Sequence, residues 1–183
     1  MDERKLVTLL PHQRSAARRW LLLAVLAMAL SALLAILLVL SRTPGVQSLL
    51  GLQEAFHTVL VLHVNYSVLV WLLAFGGVLW SLGATAHSRL QSLAFVTALL
   101  GTVSILGSMF IDTALPIMSN YIPVLDTPLF LFGLSTFAAA ISLMAILALT
   151  SRQLDGTLRM AALAWLAVMV LLALHLQQLL QVG

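Results

Sequence analysis

Five long apolar segments, separated by short polar stretches, dominate the pattern of hydrophobic and polar positions along the chain. Each segment is close to the roughly 20 helical residues that cross a hydrocarbon core of about 30 Å. None has the two-residue alternation of a membrane-barrel strand, so the pattern predicts helices. The predicted helices are 20–40, 58–82, 93–111, 129–149 and 160–180.

These segments predict an all-α fold, an integral membrane bundle of five transmembrane helices that forms one domain over 1–183. Of all residues, 62% are hydrophobic and 8% are charged, a balance typical of chains embedded in a bilayer. The connection 113–127 contains Pro116 and Pro123 among polar residues, which predicts an ordered turn. The first segment is too long for a cleaved secretory signal and lacks a cleavage site, so we interpret it as a retained anchor.

Positive charges are distributed unequally between the two ends of the predicted bundle. Of the nine Lys and Arg residues, only Arg42 falls at the end away from the N-terminus. Because positively charged connections stay on the cytoplasmic side, the asymmetry predicts a cytoplasmic N-terminus and an external C-terminus in the cell inner membrane. The charges at the N-terminal end are Arg4, Lys5, Arg14, Arg18, Arg19, Arg89, Arg152 and Arg159.

The composition excludes several kinds of site. The chain has no cysteine, so it forms no disulfide, thiolate metal site or iron–sulfur cluster of its own. No carboxylate falls in the middle of a segment, which argues against a proton-coupled transporter built from this chain alone. Glu54, Asp112 and Asp126 fall at the predicted outer surface, where we interpret them as a solvated rim, with a proton exit or a cytochrome docking patch as the alternative.

One histidine stands out because ionisable side chains inside a membrane are costly and rare. His63 lies about five residues into the second segment, roughly 8 Å from its outer end at 1.5 Å per residue. A neutral imidazole there predicts an axial ligand to haem iron, and the alternative is a histidine hydrogen-bonded to another helix through a serine or a carbonyl. The predicted haem wall consists of small or slim residues at helical spacing, namely Ser67, Val70, Ala74 and Gly77.

The other histidines are weaker candidates. His175 lies at a similar depth in the fifth segment, which permits a bis-histidine haem b between segments two and five and makes His175 a second candidate iron ligand. A polar helix end is the simpler interpretation of His175. His57 is expected at the interface and His12 and His87 on the cytoplasmic side, and we assign no chemistry to these three.

Two further patterns concern the tryptophans and the small residues of the helices. Trp20 and Trp80 fall where an aromatic belt lies in membrane proteins. The third segment places small residues on one face, which lets another helix approach closely. We interpret this face as ordinary membrane packing, and it also suits contact with a partner chain. Its members are Thr97, Gly101, Ser104 and Ser108.

The stretch LVLHVNYSVLVWLLAF at 60–75 resembles the second helix of the catalytic subunit I of haem-copper oxidases, in particular the divergent cbb3-like branch. In that family a histidine near the outer end of helix two is an axial ligand of the low-spin haem, and His63 matches it in helix number, direction and depth. The stretch SNYIPVLDTPLF at 119–130 also resembles this branch. The resemblance implies a membrane subunit of a respiratory terminal oxidase, in which His63 ligates haem b.

The chain also departs from the family. Catalytic subunits contain many more helices, and their other haem and copper ligands lie on those later helices. Many members have glycine where this chain has Val64. The resemblance therefore implies the N-terminal part of a divided subunit, without a copper site and not catalytic alone. A partner membrane chain would supply the remaining ligands, and a cytochrome c-like protein or quinol the electrons.

The sequence is also compatible with two other functions. The first is a non-catalytic structural or assembly subunit of a larger membrane enzyme. The second is a stand-alone bis-histidine cytochrome b that uses His63 and His175. No feature of the chain suggests nucleic-acid binding.

Overall fold

The computed structural model describes residues 10–49, 55–83, 88–111, 115–117, 123–152 and 154–182, without the side chains of 47, 49, 115 and 175–182. In this part of the chain, five helices are long and apolar enough to cross a membrane, which confirms the predicted five-helix pattern and its transmembrane character. The helices are α1, Pro11–Arg42; α2, Phe56–Gly83; α3, Ser88–Phe110; α4, Pro128–Leu149; and α5, Gly156–Val182.

Short irregular elements interrupt or connect these helices. The middle of α2, Asn65–Val70, is a π-helical segment, and the last turn of α3, Ser108–Phe110, is a 3₁₀ helix. A single helical turn, Val46–Leu49, follows α1. These irregularities leave the five-helix pattern intact, but the π-helical segment changes which residues of α2 share a face.

The connection between α3 and α4 contains two short strands, β1 (Leu115–Ile117) and β2 (Val124–Asp126). They pair in antiparallel fashion, with Leu115 opposite Asp126. Thr127 then caps α4, because its Oγ1 accepts a hydrogen bond from the backbone N–H of Phe130 at 3.3 Å. The ladder is an addition to the predicted all-helical fold, in the connection for which an ordered turn was predicted.

Helix α4 is a central helix of the bundle, because it contacts three of the other four. Helix α1 packs along α2, α3 packs along α4, and α4 also contacts α2 and α5. Large side chains of α4, among them Phe137, Ile141 and Met144, are fully buried and form much of the core. Helix α5 is the least covered by the rest of the protein. Of the residues in its most apolar 18-residue stretch 6% are buried, against 28% to 39% in the other four helices.

The small-residue face of α3 packs on α4 of the same chain. A Cβ atom added to Gly101 would lie 2.7 Å from the carbonyl oxygen of Gly133 and 2.6 Å from the backbone nitrogen of Phe137. Since no side chain fits between these backbones, glycine at both positions allows the close approach. This contact confirms ordinary packing as the role of the face at Gly101, and it leaves no room there for a partner helix.

Side chains join the helices at the end of the bundle where α1 begins. Gln13 Nε2 donates to the carbonyl of Leu82 at 3.0 Å, and Ser151 Oγ donates to the carbonyl of Gly83 at 2.6 Å. The start of α1 and the ends of α2 and α4 therefore lie together, so successive helices alternate in direction. The described arginines at this end of the helices are Arg14, Arg18, Arg19, Arg89, Arg152 and Arg159.

The two tryptophans assigned to an aromatic belt are buried inside the protein. Trp20 is fully buried, and its ring meets Phe95 of α3 edge-on with centroids 5.6 Å apart. Trp80 is 5% exposed, and its indole N–H donates to the carbonyl of Leu158 at 3.2 Å. Both rings therefore pack helices together, and the prediction that they face the lipid interface is wrong.

Candidate haem-ligand site at His63

One buried asparagine at the start of the π-helical segment of α2 donates two side-chain hydrogen bonds. Asn65 is fully buried, and its Nδ2 donates both to the carbonyl of Val61 at 2.9 Å and to the carbonyl of Pro123 at 2.8 Å. The second bond ties α2 to the chain that enters β2. Segments of this kind are frequent at functional sites, and this one begins two residues after His63.

The imidazole of His63 is bound to α1 through one nitrogen. Nδ1 lies 2.9 Å from the carbonyl oxygen of Ser31 and 3.0 Å from its Oγ. Ser31 Oγ in turn donates to the carbonyl of His63 at 3.3 Å. Ser31 is buried and His63 is half-buried, so the pair lies at the edge of the α1–α2 contact.

This geometry assigns the proton of the neutral ring. A carbonyl oxygen only accepts, so the bond to the Ser31 carbonyl requires the proton on Nδ1. The lone pair then lies on Nε2, which has no hydrogen-bond partner in the described residues. Metal-ligating histidines characteristically donate their other ring N–H in this way, which fixes the orientation of the ring. The hydrogen bond expected under the alternative interpretation is thus present, but it uses only one ring nitrogen.

The predicted haem wall is covered to a large extent by the chain itself. Val70 and Ala74 are fully buried, and a Cβ atom at Gly77 would lie 2.6 Å from Cδ2 of Trp20. Ser67 alone of this set is half-buried, and its Oγ donates to the carbonyl of Val64 at 3.2 Å. A flat ligand at Gly77 would have to displace the Trp20 ring. Contact of these residues with a haem stays a prediction.

The structure describes only some of the remaining predicted groups. His57 is exposed near the start of α2, and Asp126 is exposed at the end of β2. His175 lies on α5, which packs on α4, whereas His63 contacts α1. The side chain of His175, like residues His87, Glu54 and Asp112, lies outside what the structure describes. The bis-histidine pairing therefore stays a prediction.

An apolar cavity of about 560 Å³ lies between α2, α4 and α5. Leu73, Phe137 and Met169 are among its lining residues, none of which is a histidine. The indole N–H of Trp165 at its edge donates to Ser142 Oγ at 3.0 Å. His63 is therefore not among the residues that line this cavity.

The described residues contain no group of three or more His, Cys, Asp or Glu side chains that could hold a metal ion. His63 could supply a haem with one axial ligand, because Nε2 offers one lone pair. The predicted wall beside it is closed at Gly77 by the ring of Trp20. Ser31 was not predicted to be the partner of His63. The indication in the sequence was that Ser31 is a polar residue in the middle of the apolar run of α1.

The fold and this site define a helical membrane protein with five candidate spans and one oriented imidazole at the edge of its first helix pair. The chain is similar to an uncharacterised protein of Rickettsia prowazekii (strain Madrid E), 31% identical over 166 residues, which cover 74% of this chain and 31% of that protein. It is also similar to an uncharacterised protein of Aquifex aeolicus (strain VF5), 33% identical over 118 residues, covering 64% and 30% respectively.

The chain thus spans about a third of the length of the curated relatives it matches. No protein-family profile matches it, and no solved structure matches it.

Proposed function

We propose that this chain is a membrane subunit of a haem-copper oxidase-like respiratory complex, in which His63 is one axial ligand of a low-spin haem b and a partner chain completes the site. The observation that carries the proposal is the pairing of His63 Nδ1 with the Ser31 carbonyl, which leaves Nε2 as an unpartnered nitrogen ligand. The resemblance of 60–75 to the second helix of that family supports it.

In this proposal the chain holds and orients the ligand, and it does not reduce oxygen. The hydrogen bond to the Ser31 carbonyl orients the imidazole relative to α1. The hydrogen bond from Asn65 to the Pro123 carbonyl ties the adjoining π-helical segment to the chain that enters β2. A bound haem would carry electrons from a cytochrome c-like donor or quinol to an oxygen-reducing centre on the partner. Each relative is about three times as long as the region it shares with this chain, so that region forms only part of each relative.

The sharpest test replaces His63 with asparagine and with alanine. Asparagine keeps an N–H donor near the position of Nδ1, so it retains the bond to Ser31 and removes only the nitrogen that would bind iron. We expect His63→Asn to assemble into the complex purified from native membranes and to lose the low-spin haem b signal in the reduced-minus-oxidised spectrum. Mass spectrometry of the same preparation identifies the partner chains.

The exposed His57 provides the matched control, and His57→Asn should leave the spectrum unchanged. Ser31→Ala keeps the backbone carbonyl that accepts from Nδ1, so it should also retain the haem. A full haem signal in an assembled His63→Asn complex would show that His63 is not the ligand.

A non-catalytic structural subunit is the second candidate, and the Ser31–His63 contact also favours it. Two reciprocal hydrogen bonds between α1 and α2 give His63 a packing role that needs no cofactor. Under this function His63→Ala weakens assembly, His63→Asn restores it, and the haem content per assembled complex of both variants equals that of the unsubstituted complex. The ratio of haem to protein therefore separates the two functions.

The inner-membrane orientation with the N-terminus in the cytoplasm is part of the proposal, and the arginines clustered at the α1 end support it. The chain has no cysteine, so single introduced cysteines give an unambiguous labelling test. In intact cells an impermeant maleimide should label Thr43→Cys and spare Ser88→Cys. The reverse pattern would invert the proposed topology.

A further inference from the structure

A polar cavity of about 390 Å³ lies at the end of the bundle where α1 and α3 begin. Its side chains come from one face of the first turns of α1 and from the first turn of α3, since both sets follow helical spacing. No chemistry was predicted at this end of the chain, because His12 was expected on the cytoplasmic side and the arginines were interpreted as a sign of topology. The polar residues that line the cavity are His12, Ser15, Arg19, Ser88, Arg89, Gln91 and Ser92.

The lining is basic, and the described residues that form it include no acidic side chain. Arg19 donates through Nη1 to Ser92 Oγ at 3.3 Å, which directs the guanidinium toward α3. His12 Nε2 is buried and has no hydrogen-bond partner in the part of the chain that is described. Arg89 lies in the first turn of α3, where the helix dipole also favours an anion.

We propose that this cavity binds the phosphate of an anionic phospholipid headgroup. The planar guanidinium groups of Arg19 and Arg89 match the geometry of phosphate oxygens, and hydroxyl groups and an imidazole supply further hydrogen bonds. Basic pockets between membrane helices bind anionic headgroups by this chemistry.

The apolar surface below the cavity favours a lipid over free phosphate. Leu22 follows Arg19 by one turn of α1 and is 52% exposed, and Val96 follows Ser92 by one turn of α3 and is 60% exposed. Acyl chains attached to a headgroup in the cavity therefore meet exposed apolar side chains on both helices. Free phosphate gains nothing from that surface.

The test measures the thermal unfolding midpoint of the full chain in dodecyl maltoside micelles that contain increasing phosphatidylglycerol. We expect a saturable rise in the midpoint with this lipid and none with phosphatidylcholine or sodium phosphate. Replacing both cavity arginines, Arg19→Gln with Arg89→Gln, should weaken the apparent affinity about 30-fold, given the contribution of each basic residue near anionic lipid.

The matched control is Arg14→Gln with Arg18→Gln, which removes two exposed charges from α1 that do not line the cavity. The control should retain most of the affinity, and the midpoint of each variant without lipid reports whether its fold is intact. Equal binding of both lipids, equal weakening by both double variants, or full stabilisation by sodium phosphate alone would each overturn the proposal.

Discussion

The ring of Trp20 on α1 occupies the space next to Gly77 on α2, where a Cβ atom would lie 2.6 Å from Cδ2 and 2.7 Å from Cε3 of the indole. A fully buried indole and a residue without a side chain are thus complementary in shape. This contact fixes the distance between α1 and α2, and therefore the position of Ser31 relative to His63.

We therefore expect Gly77→Ala to destabilise the protein by about 1–3 kcal/mol, because the added methyl group overpacks a closed contact. Gly76→Ala is the adjacent control, since its Cβ atom would lie 3.9 Å from Trp80. Thermal unfolding in detergent compares the two variants. In the double variant Trp20→Leu with Gly77→Ala, the cost of the alanine should fall sharply. An unchanged cost would show that Trp20 is not the obstacle.

The contact between Gly101 and Gly133 predicts a similar contrast on the other side of the bundle. Gly101→Ala places a methyl group against backbone atoms of α4, which cannot rotate away, so we expect a loss of about 2 kcal/mol or more. Gly107→Ala, on the same helix, would place its Cβ 3.5 Å from the flexible Leu129 side chain and should cost little. Similar unfolding midpoints for the two variants would contradict this packing.

Tyr66, fully enclosed in the π-helical segment, donates its hydroxyl to the carbonyl of Thr102 at 2.7 Å. Tyr66→Phe keeps the ring and removes this link between α2 and α3. Hydrogen bonds between membrane helices contribute about 0.6 kcal/mol on average, so we expect a loss of that order. Equilibrium unfolding in mixed micelles measures it, and a gain in stability would exclude a net favourable bond.

Asp155 gives a prediction about pH. Its Oδ2 accepts from the backbone N–H of Thr157 at 2.8 Å, and this bond holds the pKa of the exposed carboxyl below its usual range. Because the fold favours the charged form, the stabilisation is present above the unfolded-state pKa of about 3.9 and is lost as pH falls through the lower folded-state pKa.

Asp155→Ala should therefore lower the unfolding midpoint at pH 7, and the difference from the unsubstituted protein should shrink as pH falls below about 4. Asp155→Asn keeps an acceptor oxygen that does not titrate in this range, so its pH profile should lack the change. A constant difference across pH 2 to 7 would mean that the carboxylate does not stabilise α5.

The number of helices was predictable because each membrane span must satisfy its backbone hydrogen bonds internally. The start of α1 was less predictable. Apolarity located the segment 20–40, but the helix begins at Pro11, a residue favoured at the first helical position. The polar extension carries His12 and Arg19, so a purely apolar criterion missed the basic cavity.

Which residues of α2 share the face of His63 was also hard to predict. An α-helix turns about 100° per residue, and the wider turns of Asn65–Val70 displace all later residues around the axis relative to His63. Spacing that joins His63 to Gly77 across this segment does not describe one face. The segment begins at Asn65, whose side chain donates to the distant Pro123 carbonyl, a tertiary bond that no local pattern reveals.

The end of α2 shows how the bundle limits hydration. The carbonyls of Leu82 and Gly83 belong to the last turn of a helix, where such groups ordinarily require water. Here Gln13 and Ser151 supply the donors instead. These two carbonyls therefore need no water, so the end of α2 can lie below the headgroups without drawing water to them from the membrane surface.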